Sequence, residues 1–178
     1  MQSLELLELF DIIPEALPYI RNAKDCTSLM MFLVNDILDF AQLEEKKIVI
    51  NMNQAVNLAK IVQECTQILL FKATMKMIRL TSNFQESFPS VVYLDGNRLK
   101  QILINLVSNA VKYTLRGQVT VDVRIELQQI KILVKDSGVG IERRKLQNLF
   151  TPFNKIMRNR ELNTEGVGLG LIVSKSLA

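Results

Sequence analysis

Three short stretches hold side chains whose types and spacing could do chemistry. In DGNRLKQILINLVSNAVKYT, Asn105 and Asn109 stand one helical turn apart and Lys112 follows on the same side. A helix would place them with Arg98 and Gln101, opposite an apolar stripe of Leu99, Ile102, Leu103, Leu106 and Ala110. Asparagine is a poor helix former, and a merely solvated face would be better served by Glu and Lys. Amide oxygens are hard ligands suited to Mg²⁺, and a lysine one turn on can meet phosphate. In VKDSGVGI, Asp136 ends a strand and is followed by Gly138 and Gly140. Glycine lets a backbone approach a flat ligand closely, and the aspartate could accept from an amino group such as adenine N6. In GVGLGL, Gly166, Gly168 and Gly170 alternate just before a helix, with Lys155, Arg158 and Arg160 upstream. Free amides and the positive end of a helix dipole favour phosphate at such a turn.

Each stretch also has a plainer explanation: a solvated helix face, an aspartate capping its own turn, and a flexible linker. The glycine turn is no Walker loop, because no Gly-Lys-Ser/Thr follows, and it lacks the preceding strand of a Rossmann fingerprint.

Composition narrows the chemistry. The 178 residues contain no histidine, which excludes a His general base, a Ser-His-Asp triad and a phosphohistidine formed on this chain. Cys26 and Cys65 lie in helix-patterned segments with no C-x-x-C pairing, so neither a zinc site nor a structural disulfide is expected and a reducing compartment fits. No apolar run approaches the roughly 20 residues of a membrane span. The chain reads as soluble and cytoplasmic, with 48% hydrophobic residues to supply a core. Its net charge of +4 is scattered except near Lys155, which suits a small anionic ligand better than nucleic acid.

The elements that must position these residues follow from periodicity. Residues 1–46 read as helical, broken at DIIPEALP by Pro14 and Pro18. In the second helix Leu29, Leu33, Ile37, Phe40 and Ala41 keep helical spacing, and Met30, Val34 and Leu38 widen the stripe. It is expected to pack within the chain or to dimerise as a helical hairpin. KKIVINMN alternates and reads as a strand; NLAKIVQECTQILLFKATMKM reads as an amphipathic helix; IRLTSNF and VVYLD read as strands. Asp95 can cap the helix that carries Asn105. GQVTVDVRIEL and IKILVKD form a strand pair around Gln128 and Gln129, and ERRKLQNLF reads as a short helix. The mixture predicts an α+β fold, a two-layer sandwich of a mixed β-sheet covered by helices on one face, preceded by an α-helical hairpin.

Taken in order, the three stretches resemble the N, G1 and G2 boxes of the histidine kinase catalytic domain, within the group that includes gyrase, heat-shock chaperones and mismatch-repair ATPases. LFTPF at residues 149–153 resembles the F box, and FLVNDILDFAQLEEKKIVI resembles the second helix of the kinase dimerisation hairpin. The resemblance implies residues 1–46 as a partial dimerisation hairpin and 47–178 as an ATP-binding domain ending after the G2 box. It implies ATP and Mg²⁺ as cofactors. Asn109 would ligate the metal with Asn105 assisting, Lys112 and Tyr113 would approach phosphates or ribose, and Asp136 would bind adenine N6. Gly138 and Gly140 would shape that pocket. Residues 150–165, including Lys155 and Arg158, would form a mobile lid, and Gly166, Gly168 and Gly170 would admit the phosphates. Hydrolysing relatives carry a glutamate where this chain has Asn105; an amide cannot take a proton, so Asn105 and Lys112 imply phosphoryl transfer or plain binding. The expected partners are a second copy through the N-terminal helices and a histidine-bearing or response-regulator protein. The acceptor histidine and two further strands are expected to lie outside this chain, whose parent could be membrane-attached. The alternative is a pseudokinase acting as a dimerisation module.

Overall fold

The structure, a computed structural model, describes residues 16–45, 47, 49–153 and 168–178. The hairpin's first helix, its break at Pro14, Lys155, Arg158, Arg160 and Gly166 lie outside the described residues, as do the side chains of Leu29 and Leu33. Helix α1 spans Leu17–Glu44, with Pro18 in its first turn, where the missing N–H does no harm. Helix α2 spans Leu58–Met75, and its cap Asn57 accepts from Lys60 N–H at 2.9 Å. Helix α3 spans Gly96–Tyr113, and α4 spans Gly170–Leu177.

Strands β2 (Ile78–Phe84), β4 (Gly117–Glu126) and β5 (Gln129–Asp136) form a mixed sheet in the order β2-β4-β5. β2 and β4 run parallel, which requires a crossover, and α3 supplies it. β4 and β5 are an antiparallel hairpin. Its turn falls at Leu127 and Gln128, both with positive φ, one residue before the expected position. On β4, Val119, Val121 and Val123 alternate inward and are buried against Leu58, Val62 and Leu69 of α2 and Leu103, Val107 and Val111 of α3. The helices therefore cover one face of the sheet. The opposite face carries polar pairs, Asn83 to Asp122 at 2.9 Å and Lys135 to Asp122 at 2.6 Å.

The strand expected at KKIVINMN does not form among its described residues. Two asparagines explain it. Asn51 N–H donates to Asp95 Oδ2, and Asn51 Oδ1 accepts from Asn53 N–H at 3.1 Å, making a local turn that competes with a ladder. Pairing begins beyond it, where β1 (Ala55–Val56) meets β3 (Val92–Tyr93) antiparallel. ERRKLQNLF is likewise tighter than expected, a 3₁₀ helix over Arg143–Asn148.

Asp95 anchors the start of α3 from two sides. Oδ1 accepts from the backbone N–H of Asn97 and Arg98, both at 3.1 Å, while Oδ2 holds Asn51. Burial alone would raise this carboxyl, but those N–H groups and the Arg98 charge hold it below the usual carboxylate range. Lys76 secures the other end, donating to the carbonyls of Val111 and Lys112 at 2.6 and 2.9 Å. A cation at the C-terminus also matches the helix dipole. Both cysteines are free; burial pushes the Cys65 thiol up to about 12, which keeps it protonated and inert.

Candidate functional site

Helix α3 is the floor of the site. Asn105 and Asn109, one turn apart, are joined directly, Asn109 Nδ2 donating to Asn105 Oδ1 at 3.2 Å. Asn105 Nδ2 in turn donates to Ser174 Oγ of α4 at 2.7 Å, so the amide row on α3 is fastened to the last helix. The fastening is close: a Cβ on Gly170 would lie 2.2 Å from Asn105 Oδ1. Glycine at the first position of α4 is what lets that helix start against the asparagine. Leu169, at the N-cap, offers no side-chain acceptor, so the first amides of α4 are not capped by it. Gly168 precedes them with φ of +85°.

At the other end of α3 the G1 turn makes its own close approach. Val139 N–H donates to Tyr113 O at 3.3 Å, and a Cβ on Gly138 would meet that same carbonyl at 2.6 Å. Asp136 Oδ1 accepts from Gly138 N–H at 2.9 Å. The aspartate thus caps its own turn with one oxygen. Gly140 has φ of +66° and open space around it. Lys112 Nζ lies 5.0 Å from the centre of the Tyr113 ring, so both line the edge of α3 nearest the G1 turn. From Asn105 to Tyr113 the helix advances about 12 Å, with α4 at one end of that interval and the G1 turn at the other.

The structure therefore brings together Asn105, Asn109, Gly168 and Gly170 at one end, and Lys112, Tyr113, Asp136 and Gly138 at the other. The polar face of α3 differs from the sequence expectation. Its Gln101 is buried and bonded to Asp39 and Arg98, whereas Ile102 and Leu106 are half-buried and the fully buried apolar positions are Leu103, Ile104, Val107, Ala110 and Val111. The cause is that α4 and the end of α1 cover the side assigned to water; none of residues 98–113 is fully exposed.

One participant gave no warning in the sequence, and the F-box phenylalanines make contacts that the motif alone does not specify. Ser174 carries an ordinary helix residue type and is identified by its bond to Asn105 alone. Phe150 lies under the Lys175 ammonium at 4.7 Å, and Phe153 meets Phe40 of α1 edge-on at 5.6 Å. Phe153 N–H donates to Gly168 O at 3.2 Å, so the described ends flanking residues 154–167 are adjacent in space.

An α+β domain with one helix bearing paired asparagines, an Asp-x-Gly turn at its C-terminal end and a glycine-led helix at the other is the arrangement the resemblance to the histidine kinase catalytic domain implied. Residues 94–178 match the family described as histidine kinase-, DNA gyrase B- and HSP90-like ATPases, and the chain carries a domain of that family. It is 32% identical over 177 residues to the sensor histidine kinase GacS of Pseudomonas protegens, a match covering 97% of this chain and 19% of that protein. It is 36% identical over 148 residues to the aerobic respiration control sensor ArcB of Escherichia coli, covering 82% of this chain and again 19% of the relative. The chain thus spans about a fifth of these relatives. Among solved structures, full-length ShkA in complex with AMPPNP matches with a TM-score of 0.69 at 26% identity, over 98% of this chain and 36% of that one.

Gly170→Ala tests the approach of α4 to α3. The atom in the way is the tip of a side chain, so Asn105 should be displaced while the fold tolerates the change. We expect a melting temperature within a few degrees of the native chain and loss of the Asn105–Ser174 coupling in a double-mutant cycle with Ser174→Ala. Undiminished coupling would contradict the geometry.

Proposed function

We propose that this chain binds Mg–ATP along α3 and delivers the γ-phosphoryl group to a histidine carried by another polypeptide, as in two-component phosphorelays. The observation that carries the reading is the Asn109–Asn105–Ser174 chain of hydrogen bonds against Gly170, which sets side-chain amides beside the N-terminus of α4, where Leu169 provides no side-chain cap. The family match and the kinase relatives support it. Asp136 keeps one carboxylate oxygen for the adenine amino group. The first amides of α4 receive phosphate oxygens, and Lys112 offsets their charge.

The donor set suits Mg²⁺ held mainly through a nucleotide. No group of three or more acidic, His or Cys side chains among the described residues could hold a metal ion, and Mg²⁺ is commonly bound by few protein ligands together with substrate phosphates. Asn109 Oδ1 would be its protein ligand, with Asn105 fixing the Asn109 amide. When bound, the metal supplies charge neutralisation at the phosphates. Positioning and electrostatics are what phosphoryl transfer asks of a protein, and Asn105 offers no base to activate water.

On α1, Met30, Val34, Ile37 and Leu38 are about half exposed or more. We read this stripe as a self-association face. Val34→Lys with Ile37→Lys should convert a dimer to a monomer in sedimentation; a native chain that stays monomeric at high concentration refutes that face.

Asp136→Asn tests the nucleotide assignment. It should weaken ATP by about ten-fold or more, the value of a hydrogen bond to a charged group, and GTP by much less, because guanine has no amino group at the 6-position. Equal losses in calorimetry would reject the adenine role. Given γ-labelled ATP and a histidine-bearing helical hairpin in trans, the chain should place acid-labile, base-stable label on the hairpin. Binding without transfer would favour a nucleotide-binding pseudokinase.

A further inference from the structure

Arg98 occupies the first turn of α3, three residues after the cap Asp95. A cation there faces the positive end of the helix dipole, the unfavourable sense, and no acidic residue lies in that turn. The cap Asp95 offsets part of that charge, and a second carboxylate reaches Arg98 from another element. Asp39 of α1, 4% exposed, accepts from Arg98 Nη1 and, at 2.8 Å, from Gln101 Nε2. Arg98 Nη1 also donates to Gln101 Oε1 at 3.1 Å, closing a three-residue ring of polar contacts. A buried charge so ligated is costly to separate from its partners.

The next residue reaches the other half of the site. Phe40 sets its ring against Phe153, whose N–H holds Gly168, two residues before α4 begins. α1 also packs on α4 itself. Adjacent residues of α1 therefore hold both α3 and the approach to α4, the two elements whose contact sets Asn105 against Gly170.

We propose that Asp39 is a positioning residue of the nucleotide site. Through Arg98 and Gln101 it fixes the seating of α3, and with Phe40 it holds α4 against the asparagine row. The inference rests on the reading of that row as the Mg–ATP site. Since binding couplings are reciprocal, nucleotide must in turn tighten α1 on the domain.

Asp39→Asn removes the charge and keeps the shape. In calorimetry on the whole chain it should weaken Mg–ATP by roughly five-fold or more. Mg–ATP should slow hydrogen exchange of α1 amides in the native chain and do so less in the variant. The exchanged pair Asp39→Arg with Arg98→Asp, around which Gln101 can reverse its amide, should recover most of the affinity. If Asp39→Asn fails to fold, Gln101→Leu removes one arm of the ring and should lower affinity in the same direction. A native chain that does not bind Mg–ATP refutes the site reading and this proposal with it. Native binding, with a folded Asp39→Asn or Gln101→Leu variant of equal affinity, overturns this proposal alone, even if the melting temperature falls.

Discussion

The hydrogen bond between Asn105 and Ser174 is the contact on which the arrangement of the site depends. It joins a helix seated on the sheet to the last helix of the chain, and it does so between the half-buried Asn105 and the buried Ser174. Such groups are costly when unpaired, so the bond selects one seating of α4 over its neighbours. Gly170 makes that seating sterically possible. From it follow the placing of the first turn of α4 against the asparagine row and the fixed orientation of the Asn109 amide.

The rest of the fold keeps α3 still enough for the bond to matter. Val119, Val121 and Val123 of β4 are at most 2% exposed, as are Leu103, Val107 and Val111 of α3, and burying each such side chain contributes about 1.5–3 kcal/mol. The ends of α3 are held by groups outside it, Asp95 and Asn51 at the start and Lys76 at the finish. Asp39 presses on the first turn from α1. A helix restrained at both ends and along one side can present amides to a ligand without rearranging them.

The elements legible in the sequence were those that local chemistry decides. Asp95 before Gly-Asn-Arg marks a cap, and the alternation of Val119, Val121 and Val123 marks a strand with one dry face. The turn at Asp136 was legible because the aspartate acts within it, accepting from Gly138 N–H two residues on. What escaped was decided at long range. The side of α3 read as solvated is covered by α1 and α4, so Gln101 is buried by Asp39, more than sixty residues earlier in the chain. KKIVINMN has the alternation of a strand, but Asn51 and Asn53 fold it into a turn bonded to Asp95. Leu127 and Gln128 adopt positive φ without the Asn-Gly signal that usually announces such a hairpin.

The most direct test is a titration of the side-chain amide signals of Asn105 and Asn109 in ¹⁵N–¹H spectra of the uniformly labelled chain, assigned by Asn→Asp variants. Mg–ATP should shift both amides, ATP with chelator should shift Asn109 less, and Mg²⁺ alone should leave both in place because nucleotide phosphates supply most of the metal's ligands. Shifts on Mg–ATP confined to residues away from α3 and α4, with both asparagine amides unmoved, would contradict the account.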